Sequence, residues 1–169
     1  GVTVDGVVLK VILRKVREIK NTLGISMPFP DDSKSILDAV LYAVSKGFDI
    51  FLDLKLHDIP NTVKKSIEGL INLPIQMLTI PTSGGKQMMQ AAMQALEGSN
   101  IKVFGVTALT SLSDTDTNTI YKRDATDQVA AMLDLAEESG IDGVVCSPHE
   151  LHLVAKRESL LSITPGIRL

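Results

Sequence analysis

In the segment from Asp53 to Asp58, one carboxylate precedes the ammonium group of Lys55 and one follows it. Side chains on a strand point alternately to opposite faces, so Asp53 and Lys55 would lie side by side on one face. A charge cluster of this kind serves either as a catalytic site or as a structural salt bridge at a strand end. The residues taken alone leave both interpretations open.

The neighbouring elements would put this cluster at the C-terminal end of a strand. The apolar alternation from Ile50 to Leu56 predicts the strand, and Pro60 cannot continue a central strand because it lacks an amide hydrogen. Residues 59–62 therefore predict a loop that leads into a helix, capped by Thr62 and extending to about Leu70. Three charges would then converge where the strand meets the loop.

The composition is that of one globular domain: of 169 residues, 44% are hydrophobic and 22% are charged. The net charge of -3, the pI near 5.6 and the lack of a basic stripe argue against a nucleic-acid or anionic-membrane partner. The single cysteine, Cys146, lies in an apolar run and is interpreted as a buried structural thiol. Without an internal disulfide, a signal-peptide pattern or a long apolar span, the chain is expected in the reducing cytoplasm.

Strands and helices are predicted to alternate along the whole chain. Apolar runs predict strands at Val2–Val4, Leu23–Met27, Ile50–Leu56, Ile75–Ile80, Ile101–Leu109, Gly143–Cys146 and Leu160–Ile163. Helical periodicity is clearest over Ala125–Ser139, and the methionine-rich stripe that begins at Met88 is interpreted as core packing. Such alternation indicates parallel strands with helical crossovers, in either an open doubly wound sheet or a barrel.

Two features favour the barrel. Polar or charged residues follow several strands, among them Asp53, Ser83, Ser111 and Ser147, and barrels of this kind keep their active sites at those strand ends. No glycine-rich nucleotide-binding motif follows the first strand. The predicted fold is therefore an α/β fold, a (β/α)₈ TIM barrel forming a single domain over residues 1–169. Because at most seven strands can be counted, the barrel is expected to be truncated by its last βα unit.

The segment Asp53-Leu54-Lys55-Leu56-His57-Asp58-Ile59-Pro60-Asn61-Thr62 resembles the signature of the orotidine 5'-phosphate decarboxylase family. Residues 82–85, 106–111, 143–147 and 164–168 resemble further segments of that family in the family's order. The charged core of the signature is shared with related sugar-phosphate decarboxylases and aldolases. The Ile-Pro-Asn-Thr extension and the Thr-Pro-Gly-Ile-Arg segment are what single out the pyrimidine enzyme. The resemblance implies decarboxylation of orotidine 5'-phosphate to UMP, with no metal or organic cofactor.

The chemistry of this reaction explains why such a cluster is needed. Loss of CO₂ from C6 of the pyrimidine leaves an unstabilised carbanion, so the site must stabilise charge at that carbon and supply a proton. The resemblance makes Lys55 the proton donor, kept cationic by Asp53 and Asp58. It places Asp53 against the substrate carboxylate, where like-charge crowding is relieved as CO₂ departs. It also implies that Asp58 and Thr62 reach into the neighbouring subunit's site of a homodimer.

The resemblance assigns substrate contacts to a wider set of positions, namely Asp5, Leu54, Leu56, His57, Ile59, Pro60, Asn61, Thr62, Thr110, Ser111, Pro165 and Arg168. Thr110 and Ser111 match the segment that contacts the pyrimidine, although hydroxyls in a turn also bond the backbone. Arg168 matches a ligand-binding arginine, the alternative being a solvated charge.

Other parts of the family pattern lack a match. Lys20 is offset from the position of a second-strand lysine, and Pro81 stands where a histidine is usual. The glycine-arginine clamp that binds the substrate phosphate is missing from the sequence, and losing that binding energy would weaken substrate binding. Two alternatives therefore remain: a catalytically impaired or truncated homologue that acts as a binding or scaffold protein, and a related sugar-phosphate lyase that would use Mg²⁺.

Overall fold

The computed structural model describes residues 44, 45, 47, 49–109 and 111–165. The strands predicted at residues 2–4 and 23–27 lie outside the described residues. Val44 and Ser45 are helical, and Gly47 has a φ of 81°, a left-handed conformation that glycine adopts without a steric penalty. A left-handed glycine is typical of the residue that follows the end of a helix.

Five parallel strands form the described sheet, and they are arranged in the order in which they occur in the chain. They are β1 (Phe51–Leu52), β2 (Met77–Pro81), β3 (Lys102–Val106), β4 (Gly143–Val145) and β5 (Leu161–Ile163). A doubly wound sheet reverses its strand order at a switch point, whereas a barrel adds each strand beside the previous one. The described strands are thus an arc of a (β/α) barrel, and the predicted fold class is confirmed.

Helices connect the strands on one side of the sheet. They are α1 (Pro60–Glu68), α2 (Gly85–Ala95), α3 (Asp114–Tyr121), α4 (Ala125–Ser139) and α5 (Leu151–Val154), with 3₁₀ turns at Thr82–Gly84 and Pro148–Glu150. Helix α4 has its predicted bounds. The side chain of Asp124 accepts a hydrogen bond from the Asp127 amide at its start, and left-handed Gly140 ends it. Within the described residues no helix is long and apolar enough to cross a membrane.

The core lies between the sheet and these helices. Leu78 and Ile80 of β2 and Val103 of β3 are fully buried there against Met88 and Met89 of α2. The interpretation of the methionine stripe as core packing is confirmed. Cys146 is 1% exposed, so the prediction of a buried thiol is also confirmed.

Two predictions around the charged segment are wrong. The strand predicted over Ile50–Leu56 is limited to Phe51–Leu52, because the chain turns at Leu54 and Lys55. Thr62 does not cap α1, since the helix begins at Pro60 with Ile59 in the capping position and no side-chain cap. Proline is favoured at the first helical position, where its missing amide hydrogen costs nothing, and this signal decides the start of the helix.

Candidate active site

The candidate site begins where the chain leaves β1 through a tight turn. The amide of Leu54 donates to the carbonyl oxygen of Leu52 at 3.0 Å, and Lys55 then has a φ of 51°. The left-handed conformation costs a residue with a Cβ about 1–2 kcal/mol. Such strain persists only where surrounding contacts hold it in place, and it is concentrated at functional sites.

The turn brings Lys55 onto Asp53. The ammonium nitrogen Nζ donates to both carboxylate oxygens of Asp53, at 2.6 Å to Oδ1 and 2.5 Å to Oδ2. The two side chains are 36% and 40% exposed, so the pair is open on one side. The predicted proximity of these residues is confirmed, although a turn produces it rather than the alternation of an extended strand.

Thr79 of β2 supports this pair and was missed by the sequence-based prediction. Its hydroxyl donates to Asp53 Oδ1 at 2.8 Å and accepts a hydrogen bond from the Lys55 amide at 3.0 Å. The signal was its place as a single polar residue in the buried run Met77–Ile80, since a buried hydroxyl requires hydrogen-bond partners. The sequence alone could not show that the partners lie 26 and 24 residues away.

The pair opens into a cavity of about 220 Å³ at the carboxyl ends of the strands. Asp53 and Lys55 are the charged residues among those that line it. The remaining wall is almost wholly apolar: Phe51, Val106, Ala108, Leu109, Val145, Cys146, Ile163 and Pro165. An apolar wall suits the faces of a flat ring.

Asp58 and the loop after it do not line this cavity. Asp58 is exposed, and its Oδ1 accepts a hydrogen bond from the amide of Ile59 at 2.7 Å. Among the described residues its carboxylate forms no ion pair with Lys55. Ile59 is 66% exposed and Asn61 is also exposed, whereas Thr62 is half-buried in the first turn of α1. The structure of a single chain therefore brings together two of the three predicted catalytic residues.

The other predicted binding residues are dispersed. Leu54 is buried in the core and Leu56 packs against it, so neither side chain lines the cavity. His57 is exposed and lies beside Gly84, because a Cβ added to that glycine would be 3.4 Å from the ring carbon Cδ2 of the histidine. Ser111 is exposed in a turn, while Pro165 lines the cavity. Asp5, Thr110 and Arg168 lie outside the described residues.

The thiol of Cys146, also on the cavity wall, is unsuited to nucleophilic chemistry. Burial, and secondarily the nearby carboxylate of Glu150, raise the pKa of Cys146 to about 11. The thiol is therefore protonated near neutral pH, and a protonated thiol is a poor nucleophile. The charged groups on the cavity wall, the carboxylate of Asp53 and the ammonium of Lys55, are thus the candidates for its chemistry.

The fold and the site together define a (β/α) barrel with a charged site at the carboxyl ends of its strands. Residues 12–169 match the model of the orotidine 5'-phosphate decarboxylase / HUMPS family, so the chain belongs to this family. The resemblance found in the sequence is thereby confirmed.

Individual relatives agree with this assignment. The orotidine 5'-phosphate decarboxylase of Ehrlichia chaffeensis is 48% identical over 126 residues, covering 72% of this chain and 54% of the relative. That of Saccharophagus degradans is 47% identical over 128 residues, with coverages of 73% and 54%. The solved structure of the orotidine 5'-phosphate decarboxylase from Lactobacillus acidophilus has a TM-score of 0.70 and 37% identity, covering 78% of this chain and 63% of that one. The chain spans about half the length of these two curated relatives.

Proposed function

We propose that this protein decarboxylates orotidine 5'-phosphate to UMP, a step of pyrimidine biosynthesis in the cytoplasm. The observation that carries the proposal is the ion pair in which Lys55 contacts both carboxylate oxygens of Asp53 at the wall of an otherwise apolar cavity. The names of the similar decarboxylases support the same reaction. The buried, unpaired thiol of Cys146 is compatible with a reducing compartment.

The energetics of the pair argue against a purely structural salt bridge. Partly exposed ion pairs contribute only about 0.2–1 kcal/mol to stability. The left-handed conformation of Lys55 costs about 1–2 kcal/mol. This cost equals or exceeds the stabilisation that the ion pair provides. A strained backbone that gains no net stability from its salt bridge indicates that the position of the ammonium serves function.

The proposed mechanism uses each charge of the pair at the reacting carbon. The pyrimidine ring lies against the apolar wall with its carboxylate beside Asp53. As the bond between C6 and the carboxylate breaks, CO₂ leaves and the electron pair stays on C6. The ammonium of Lys55 stabilises this charge and donates a proton to C6 to give UMP. Lys55 then regains a proton from solvent, so the reaction balances without a metal or an organic cofactor.

The described cavity is large enough for only part of the substrate. Sites for ligands of this size usually enclose about 300–1,000 Å³, whereas this cavity encloses about 220 Å³. We therefore assign it to the ring and its carboxylate, with Pro165 on its wall. Asp5, Thr110, Ser111 and Arg168 stay proposed contacts to the rest of the substrate.

The outward direction of Asp58 supports a homodimer with shared sites. Its carboxylate is exposed and held by the amide of Ile59, so it is presented to another molecule rather than to Lys55 of its own chain. The exposed side chain of Ile59 beside it provides apolar surface for such a contact. We propose that Asp58 and Thr62 complete the charge network of the partner's site.

The test is turnover of orotidine 5'-phosphate, followed by ultraviolet absorbance, in the wild type and in Lys55→Ala. We expect Lys55→Ala to lose at least about 10³-fold in kcat/KM, because it removes both the proton donor and the stabilising charge. The matched control is Lys86→Ala. Lys86 also forms a salt bridge, at 2.9 Å to Glu138, but it does not line the cavity. Wild-type turnover that persists in Lys55→Ala would contradict the mechanism, and a wild type without turnover would favour a binding or scaffold role.

A further inference from the structure

We propose that Thr79 is a positioning residue that sets the geometry of Lys55 and Asp53 for proton transfer. The kinetic part of this inference rests on the proposed decarboxylase function, whereas its structural part does not. Thr79 lies in the middle of β2 and is fully buried. It is not among the residues that line the cavity, so it acts through the two charged side chains rather than on the substrate.

The hydrogen bonds of Thr79 fix the direction of its hydroxyl. An amide N–H can only donate, so the Lys55 amide, 3.0 Å away, must use Thr79 Oγ1 as its acceptor. The hydroxyl hydrogen is then free to point to Asp53 Oδ1 at 2.8 Å. One buried hydroxyl thereby links the backbone of the proton donor to the carboxylate that pairs with it.

The backbone of Thr79 also stabilises the strained turn at Lys55. The Leu56 amide donates to the Thr79 carbonyl oxygen at 3.3 Å, so Thr79 holds the chain at Lys55 and again at the next residue. Contacts on both peptide units are what a left-handed residue with a Cβ needs to stay in that conformation. Thr79 itself is stiff, because it is β-branched and has few rotamers open to it.

These contacts predict what the hydroxyl contributes to the reaction. Without it, the Asp53 carboxylate loses a donor that limits rotation of its plane, and the Lys55 amide loses its acceptor. The ammonium would then sample positions away from C6, and small misplacements of a reacting group cost rate rather than binding. Substrate contacts in the cavity stay in place, so kcat is expected to fall while KM changes little.

The kinetic test compares Thr79→Val, which keeps the shape and removes the hydroxyl, with Thr79→Ser, which keeps the hydroxyl. We expect Thr79→Val to lower kcat about 10- to 100-fold with KM within about 3-fold, and Thr79→Ser to restore most of kcat. The matched control is Thr82→Val. Thr82 is equally buried, but its hydroxyl donates to the carbonyl oxygen of Val106 and not to the charged pair. An equal loss of kcat in Thr79→Val and Thr82→Val would overturn the proposal.

A second measurement, amide hydrogen exchange by NMR, needs no activity. The Lys55 amide is expected to be protected in the wild type and in Thr79→Ser, and to exchange about 10-fold faster in Thr79→Val. The Leu56 amide bonds the Thr79 backbone and should keep its protection in every variant, which makes it an internal control.

The two readouts separate the two proposals. A wild type that does not decarboxylate the substrate would refute the proposed function, while protection of the Lys55 amide would still report on Thr79. Conversely, a Lys55 amide that exchanges in the wild type as fast as that of exposed His57 would overturn the role of Thr79 whatever the activity. That wild-type result is informative even if Thr79→Val does not fold.

Discussion

Two strand ends on the same edge of the sheet carry polar residues but hold them in different ways. After β4, the Ser147 hydroxyl accepts from the His149 amide at 3.3 Å, and Glu150 accepts from the Ser147 amide at 3.0 Å. Each partner is two or three residues away. After β1, Asp53 and the Lys55 amide instead form hydrogen bonds with Thr79, which lies on the neighbouring strand β2.

The difference separates polar groups that begin a helix from polar groups that form a site. The turn after β4 satisfies its own backbone, as a capping box does, and its conformation needs no distant support. The turn after β1 has a left-handed lysine and an uncapped helix start, so it depends on tertiary contacts. The distant contacts from Thr79 hold the turn in a conformation that leaves the Asp53–Lys55 pair on the cavity wall.

The prediction with the largest expected effect concerns whether the site after β1 is shared between two subunits. Lys55→Ala chains and Asp58→Ala chains should each be nearly inactive, since each variant dimer has both sites damaged. Mixing equal amounts should restore about one quarter of the wild-type activity, because half of the dimers are hybrids and each hybrid has one intact site. The measurement is turnover of orotidine 5'-phosphate before and after subunit exchange.

The control for the mixing experiment is a pair of chains with the same substitution. Two preparations of Lys55→Ala, exchanged in the same way, should stay inactive because no hybrid then has an intact site. Confirmed exchange without recovery would show that Asp58 acts in its own chain, and the exposed position of its carboxylate would then need another role.

The sequence predicted the end of β4 better than the end of β1. The physical reason is that the turn after β4 is held by local hydrogen bonds and the turn after β1 by distant ones. The strand predicted over Gly143–Cys146 is observed over Gly143–Val145, and helix α4 has its predicted bounds because its cap and its terminal glycine are local signals. Apolar alternation continues through Leu56, so it predicted that β1 would extend to that residue, whereas β1 is limited to Phe51–Leu52. The turn at Lys55 is instead imposed by Thr79, and pairing between residues far apart in the chain cannot be deduced from a local pattern.

The charged pair was nevertheless predicted correctly, although for an incomplete reason. Asp53 and Lys55 are two residues apart, and both an extended strand and the observed turn bring them together. Residue types and spacing were enough to predict that the two charges lie together, whereas their catalytic role was an implication of the family resemblance. The supporting hydroxyl of Thr79 could be suspected only as a buried polar residue without a named partner, because its partners come from another strand.

A smaller effect is expected at the β4 end, and on stability rather than rate. Ser147→Ala removes the cap and should lower the free energy of unfolding by about 1 kcal/mol, measured by urea denaturation. Ser113→Ala, which removes the capping serine of α3, provides a matched control with a similar loss. We expect kcat to stay near the wild-type value in both variants. A loss of kcat in Ser147→Ala alone would remove the distinction between the two strand ends.

The smallest expected effect concerns how Glu150, in the turn after β4, makes the stability of the folded state depend on pH. Burial raises the pKa of Glu150 above its ordinary value of 4.5, although the Ser147 amide and His149 act in the opposite direction. The folded state then keeps a proton that the unfolded state has lost, so stability falls as the pH rises from about 4.5 through the raised value.

Glu150→Gln should remove this decline, because glutamine does not titrate and its carbonyl oxygen can still accept from the Ser147 amide. The gain over the wild type should be less than about 1 kcal/mol, since solvent screens a half-exposed group. It should appear in urea midpoints at about pH 7 and shrink at about pH 4. Glu97→Gln, an exposed carboxylate after α2, is the control. A gain of equal size at both pH values would mean that Glu150 affects packing and not protonation, and local bonds alone would then govern this strand end.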